Sequence, residues 1–237
     1  KNPKNLDLLL DGISVNDISI RFTNYHSDFI NEWGYYCDIN NITIKAITDE
    51  NTIIPEGKTS KDQINSAVEL GQNHEGEIFF QFDIGSNFFL EIAKLKAFRI
   101  LWKEKTSKDA FIFTQTAKNN KETEFEYNNL IRTTTECMSA IFGGANGILI
   151  HSFSNKKSDF SERIARNQQT ILRKESYLDK VKNPTKGSYY VEYLVSELLK
   201  GNEICKIGKL KNNISEWTSA EGINIKSEYN IEDLEDV

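Results

Sequence analysis

Apolar and polar residues alternate along Asp17–Phe22 (DISIRF) and again along Asn41–Ile47 (NITIKAI), the period-two signature of a half-buried strand. A short helical stretch is expected between them. Glu77–Phe82 (EIFFQF), Ala110–Gln115 (AFIFTQ) and Gly147–His151 (GILIH) predict three further strands. Elsewhere the period lengthens. From Phe88 to Lys105 the apolar positions Phe88, Ile92, Leu95, Phe98 and Trp102 recur at steps of three or four, whereas Glu91, Lys94, Arg99 and Lys103 fall largely outside that stripe. One face of this helix is expected to pack inward, with Ser86 or Asn87 placed to cap its start. Glu126–Phe142 predicts a second helix stopped by Gly143-Gly144, Ser158–Lys174 a third, and Tyr189–Lys200 a last one ended by Gly201.

Strand followed by helix thus recurs about five times with apolar strands, the pattern of parallel βαβ units that carry their helices outside the sheet. The expected fold class is α/β. Five units do not close an eight-stranded barrel, so periodicity leaves two architectures open: a doubly wound open sheet, or part of a (β/α)8 barrel. Past Ile204 the chain turns polar and weakly periodic and ends in Glu232-Asp233-Leu234-Glu235-Asp236. The expected organisation is an α/β domain over 1–201 and a polar arm over 202–237.

Charge narrows the function classes. Lys+Arg is 29 against Asp+Glu 35 in 237 residues, a formal net charge of -6. Such a balance supplies no overall field for nucleic acid or an anionic membrane, so neither is an expected partner. The longest apolar runs, near Phe79–Phe82 and Ile148–Ile150, fall far short of the roughly 20 residues that cross a bilayer. Three scattered cysteines, Cys37, Cys137 and Cys205, and an opening Lys1-Asn2-Pro3-Lys4-Asn5 with no hydrophobic signal segment after it fit a reducing, cytoplasmic setting.

Several chemistries lack their residues. His26, His74 and His151 are isolated, and no two cysteines stand at metal-ligand spacing. Gly143-Gly144-Ala145-Asn146-Gly147 precedes a strand, whereas a phosphate loop follows one and opens a helix; a helix stop with a tight turn accounts for it better. No G-x-S-x-G elbow is present. What remains is positional: Gln115 and His151 each end a predicted strand, at the edge where parallel sheets place ligand groups, and both are candidates for a polar pocket floor. For His151 a purely structural role competes with that reading. Arg132, Arg163 and Arg166 lie near helix starts, suited either to clamping an acidic ligand or to pairing with Glu126, Glu136 or Glu162 on a solvated face; the second is favoured.

Four blocks together carry a resemblance: Ile84-Gly85-Ser86-Asn87-Phe88-Phe89-Leu90-Glu91-Ile92-Ala93-Lys94, Asn129-Leu130-Ile131-Arg132-Thr133-Thr134-Thr135-Glu136, Arg163-Ile164-Ala165-Arg166-Asn167-Gln168-Gln169, and Asn183-Pro184-Thr185-Lys186-Gly187-Ser188-Tyr189-Tyr190-Val191-Glu192. In this order the chain closely resembles the methylmalonyl-CoA mutase family, over roughly 76–199 and more weakly back to about Asp7. The resemblance implies the C-terminal part of a parallel eight-stranded barrel through which acyl-CoA threads, capped in the family by adenosylcobalamin on a separate domain. That domain's cobalt-ligating histidine lies in D-x-H-x-x-G, and no histidine here follows an aspartate at that spacing. The chain is therefore expected to bind no cofactor by itself, adenosylcobalamin belonging to the family holoenzyme.

The resemblance places Gln115 on a family glutamine that contacts substrate. Elsewhere it breaks: Ile47-Thr48 stands at the family's Tyr-His pair, whose histidine meets the thioester carbonyl, and Phe79 at a serine. His151 and Asn155 stand at an asparagine and a glutamate. Threonine does not reproduce an imidazole's proton chemistry. These departures resemble the smaller, non-catalytic chain of heterodimeric mutases. The expectation is a structural subunit or fragment, inactive alone and partnered by a catalytic mutase subunit, with a stand-alone acyl-CoA-binding module as the alternative. Trp217–Lys226 (WTSAEGINIK) resembles the stretch that opens mutase chains, where such an arm wraps a partner.

Overall fold

The computed structural model describes residues 50–156 and 158–201, together with Trp33 and four short strands outside that range. The chain divides into two compact units, residues 1–53 with 75–79, and residues 54–74 with 80–237. In the first unit β1 (Ile20–Arg21) and β2 (Ala46–Ile47) pair in parallel, Ile20 opposite Ala46. Trp33 and Ile53 are buried there, and the Phe79 amide donates to the Asn51 carbonyl at 2.8 Å beside β3 (Thr52–Ile53). The remainder of the two strands expected at 17–22 and 41–47, and of the helical stretch between them, lies outside the described residues, as do Thr48 and most of the 202–237 arm. From that arm come β7 (Glu216–Thr218) and β8 (Asn224–Lys226), antiparallel with Trp217 opposite Ile225.

The second unit holds the strand–helix repeats: α1 (Ser60–Gln72), β4 (Phe79–Ile84), α2 (Phe88–Thr106), β5 (Ile112–Thr116), α3 (Asn128–Phe142), β6 (Gly147–Leu149), α4 (Asp159–Lys174) and α5 (Tyr189–Leu199). Within this unit the sheet runs β4-β5-β6. Phe80 faces Ile112, Phe82 faces Thr114 and Ile84 faces Thr116, all parallel; β5 and β6 continue in parallel with Phe113 opposite Gly147. Two-residue periodicity then sorts the side chains. Phe80, Phe82, Ile84, Ile112, Thr114 and Thr116 all point to one side and are buried. On that side Phe98 of α2 meets Phe80 at 4.7 Å and Phe82 at 5.0 Å between ring centroids, and Trp102 meets Phe80 at 4.8 Å. Edge-on and tilted contacts of this kind fill the space between helix and sheet at crystal-like density.

The apolar stripe read for α2 is in place, but it is not the whole of the buried surface. Glu91 and Lys94 are buried too. They lie where α2 meets α1 and the end of β4, as the partners of Lys94 show; α5 packs on another side of α2, where Phe89 meets Tyr190 at 5.4 Å and Lys96 pairs with Glu192 at 3.4 Å. An ammonium inside a core needs donors' partners at every proton. Lys94 Nζ finds Glu91 Oε2 at 2.6 Å, the Asp83 carbonyl at 2.9 Å and Gln63 Oε1 at 3.1 Å.

The helix α1 was not expected from the sequence. Its start is a reciprocal cap, Thr59 Oγ1 accepting from the Asp62 amide and Asp62 Oδ2 from the Thr59 amide, both at 3.1 Å. Ile64, Ala67, Val68 and Gly71 form its buried stripe, too short and too small to stand out among Lys61, Asp62, Gln63, Asn65, Ser66 and Glu69. At α2, Asn87 occupies the cap position without a capping bond from its side chain, while Ser86 Oγ instead accepts from Asn120 Nδ2 at 2.8 Å. Ser158 does cap α4, Gly143 ends α3, and Gly144 continues with φ +81°, backbone that glycine adopts without strain. β4 runs two residues later than expected, and β6 stops two short of His151. The architecture is α/β with a parallel sheet, compatible with part of a barrel. Among the described residues no helix is long and apolar enough to cross a membrane.

Because Phe98 has no exposed surface and touches three aromatic neighbours, Phe98→Ala is expected to cost about 3–5 kcal/mol, read as a lower midpoint in urea unfolding at unchanged slope.

Candidate functional site

The side of β4–β6 turned away from the helices carries Gln81 and Asp83, Phe113 and Gln115, Gly147 and Leu149. Its character changes along the strands. At the level of β5's start the Phe113 ring lies against Gly147, so close that a Cβ there would sit 2.7 Å from the ring. Gln81 beside it is 5% exposed, and its Oε1 has no hydrogen-bond partner among the described residues. Toward the C-terminal ends the face opens: Asp83 is exposed, Gln115 half-buried and Leu149 41% exposed.

Asp83 and Gln115 stand opposite each other in register, and Gln115 Nε2 donates to Asp83 Oδ1 at 2.6 Å. A carboxylate only accepts, so this contact fixes which end of the Gln115 amide points to Asp83. His151 follows Leu149 by two residues, half-buried, and its backbone amide donates to Thr116 Oγ1 at 2.9 Å. Both residues read from the sequence as a pocket floor thus sit at strand ends, with Gln115 level with Leu149 and His151 one step beyond. Asp83 was missed by sequence reasoning. Its signal was an acidic residue next to last in a strand, FFQFDI, whose only other polar residue, Gln81, stands two positions before it on the same face.

The loops that follow these strands are held by a buried polar cluster. Glu136 of α3 and Lys121 of the β5–α3 loop pair at 2.7 Å, with side chains 0% and 5% exposed. Asn120 Nδ2 donates to the same carboxylate at 2.7 Å and to Ser86 of the β4–α2 loop. Burial pushes the Glu136 carboxyl above its usual range, against the hydrogen bonds from Lys121 and Asn120, and pushes the Lys121 ammonium down. Two turns earlier Asn129 accepts from the Glu122 amide at 3.0 Å and donates to the Glu122 and Phe153 carbonyls, each at 2.8 Å, which ties the β6–α4 loop to the β5–α3 loop. Gln168 Nε2 of α4 reaches Thr133 and Thr134 Oγ1 at 3.0 and 2.7 Å and the Leu130 carbonyl at 3.0 Å.

Two of the three candidate arginines have partners within the chain. Arg132 pairs with Glu122 and donates to Asn129 Oδ1, and Arg163 lies 5.8 Å over the Phe160 ring. Nor is the glycine-rich turn a phosphate cradle. Asn146 Oδ1 accepts from the Ile112 amide at 2.9 Å and from Arg99 Nη2 at 2.6 Å, and Arg99 Nη1 reaches the Ala110 carbonyl, so this turn ties α2 to the start of β5. Burial holds the Cys137 thiol up at about 12, which leaves it protonated and unreactive near neutrality. Among the described residues no cluster of three His, Cys, Asp or Glu can hold a metal.

Parallel strands with helices laid over one side, and polar side chains gathered where the strands end on the other, define an α/β scaffold of the type that binds ligands at its strand C-termini. Residues 67–210, more than half of the chain, match the family model for methylmalonyl-CoA mutase, and the chain belongs to that family. It is 39% identical to a methylmalonyl-CoA mutase of Rhizobium meliloti over 58% of this chain and 22% of that protein. It is likewise 39% identical to a methylmalonyl-CoA mutase small subunit of Porphyromonas gingivalis, over 62% of this chain and 25% of that one. Identity to the mitochondrial methylmalonyl-CoA mutase of Homo sapiens is 35%, over 58% and 21%. The chain therefore spans a quarter or less of the length of these relatives.

Lys121→Met leaves the Glu136 carboxylate buried without its cation, and is expected to cost about 3 kcal/mol at neutral pH in chemical denaturation. The sign with pH follows from the raised carboxyl. Its penalty is absent below the unfolded value and complete above the folded one, so the deficit of Lys121→Met should shrink as the solution is acidified. The double variant Lys121→Met/Glu136→Leu should recover most of the loss at neutral pH.

Proposed function

We propose that this chain is a structural, non-catalytic subunit, or a piece of one, of an adenosylcobalamin-dependent methylmalonyl-CoA mutase. The observation that carries the reading is Phe79, 1% exposed at the start of β4 where the family resemblance puts a serine. An aromatic ring that fills its own space leaves neither the room nor the hydroxyl that a polar substrate would use there. The ring of Phe113 against Gly147 supports the same reading on the next two strands. So does the relative from Porphyromonas gingivalis, whose name is that of a small subunit.

In such an assembly the chain lends part of a barrel to a catalytic mutase subunit as a heterodimer, in the cytoplasm, with residues 202–237 as the arm that reaches the partner. The cofactor's chemistry there is radical interchange of a CoA-thioester group between neighbouring carbons. The donor set of this chain does not fit that cofactor: Gln72 precedes His74, and Leu149 precedes His151, by the two residues where the cobalt-ligating motif has aspartate. No step is therefore assigned to cobalamin on this chain. On this reading Gln115 stands for the family glutamine that contacts substrate, and His151 belongs to the same polar rim at the strand ends.

The polar rim of Asp83, Gln115 and His151 favours one alternative, a stand-alone module that binds acyl-CoA on a remodelled floor. Calorimetry with short acyl-CoA esters in the absence of any partner separates the two, since heat of binding favours the module. For the subunit reading, the full chain supplied with adenosylcobalamin and succinyl-CoA is expected to form no methylmalonyl-CoA. It is expected to co-elute with a catalytic mutase chain in size-exclusion chromatography. Turnover by the chain alone overturns the assignment.

A further inference from the structure

We propose that Asn146 is a site of self-modification, where the Asn146-Gly147 step cyclises and reopens to aspartate and so supplies the carboxylate that Arg99 lacks. Arg99 reaches from α2 to the turn between α3 and β6, and its half-buried guanidinium donates to the Ala110 carbonyl, the Gly144 carbonyl and Asn146 Oδ1. All three are neutral oxygens. Among the described residues no carboxylate forms an ion pair with Arg99, and Asp109, whose charge favours it, is held by Lys103 at 2.8 Å. Burial lowers the Arg99 pKa from its ordinary value, and Asp109 opposes that only in part.

Asn146 already stands where an anion would serve. Its Oδ1 accepts from Arg99 Nη2 at 2.6 Å and from the Ile112 amide at 2.9 Å, and because both are donors the oxygen end of the amide is fixed. The side chain is exposed, and Nδ2 has no hydrogen bond among the described residues. Exchanging that NH2 for an oxygen alters the one atom the turn does not use, and converts the bond from Arg99 into a charge-assisted pair. The reagents are local. Gly147 is glycine for a packing reason, since a Cβ there would stand 2.7 Å from the Phe113 ring, and the missing side chain leaves its amide nitrogen unhindered.

In the first step the Gly147 nitrogen bonds to Asn146 Cγ, the Cγ–Nδ2 bond breaks, and ammonia leaves with the proton from the Gly147 nitrogen. Water then adds to Cγ of the cyclic imide, the bond from Cγ to the Gly147 nitrogen breaks, and that nitrogen regains a proton. Ammonia is lost and water consumed; nothing is oxidised or reduced. The two donors on Oδ1 stabilise the oxyanion that develops at Cγ in both steps. They also decide where the imide opens. Water at Cγ gives aspartate, whereas water at the main-chain carbonyl gives isoaspartate, the main product in an unrestrained chain.

The test incubates the full chain in mildly alkaline buffer, folded and in urea, and maps the peptide spanning Asn146-Gly147 by mass spectrometry with fragmentation that separates aspartate from isoaspartate. The folded chain is expected to accumulate the acid form with aspartate predominating, and the unfolded chain chiefly isoaspartate. Asn146→Asp is expected to lower the unfolding constant about fivefold, read as a raised urea midpoint at unchanged slope, and the gain is expected to vanish in an Arg99→Gln background. A folded chain that keeps its amide while the unfolded one converts, isoaspartate predominating in the folded chain, a lowered midpoint in Asn146→Asp, or a gain that survives Arg99→Gln overturns the inference. The mapping needs no variant, so it decides even where Arg99→Gln does not fold.

Discussion

A carboxylate with no exposed surface must be answered where it lies, and the groups that answer Glu136 come from one strand–helix loop that is itself bonded to a second. Lys121 and Asn120 follow β5, and through Asn120 the cluster reaches Ser86 after β4. Withdrawing any member leaves a buried polar atom whose desolvation is no longer offset, a larger loss than the modest net value of the bond itself. The cluster therefore makes the loops at the strand ends interdependent. Asn129, which joins Glu122 to Phe153, extends the same constraint to the loop after β6. The face that bears Gln115 is framed by loops that cannot shift separately.

That cluster shows why the sequence was readable in some places and opaque in others. Phe88–Trp102 was legible because its apolar residues are large and evenly spaced, and the strands around Phe80 and Ile112 because both are rich in aromatic or β-branched residues. The burial of Glu91 and Lys94 was not legible. A periodic stripe reports apolar burial, whereas the partners that admit Lys94 to the core, Gln63 Oε1 of α1 and the Asp83 carbonyl of β4, come from other elements that no local window pairs with it. α1 failed for the opposite reason. Its cap, Thr59 with Asp62, was a usable signal, but Ala67 and Gly71 contribute too little hydrophobicity for the stripe to stand out.

At the candidate site the sequence located positions and could not supply partners. Gln115 and His151 were recognisable as polar residues ending apolar strands, and the strand ends do bring them to one edge of the sheet. What Gln115 is able to do depends on Asp83, 32 residues earlier. Only the register sets those two side by side, and a shift of one residue would turn both to the helix side. The arginines show the same limit. Each was compatible with a ligand or an ion pair, and geometry alone gave Arg132 to Glu122.

The four blocks that carry the family resemblance can now be weighed by what their side chains touch. Glu91 and Lys94 neutralise each other inside the core, Asn129, Thr133 and Glu136 knit loops to α3, and Gln168 fastens α4 to α3. These are duties of framework: each satisfies a buried polar group that the fold creates. None of them lies on the sheet face that carries Gln115. On that face Gln115 Nε2 donates one of its N–H groups to Asp83. Membership in the family therefore speaks for the scaffold, since it is recognised by residues that hold the scaffold together. Chemistry has to be argued from the other face, the one that carries Asp83 and Gln115.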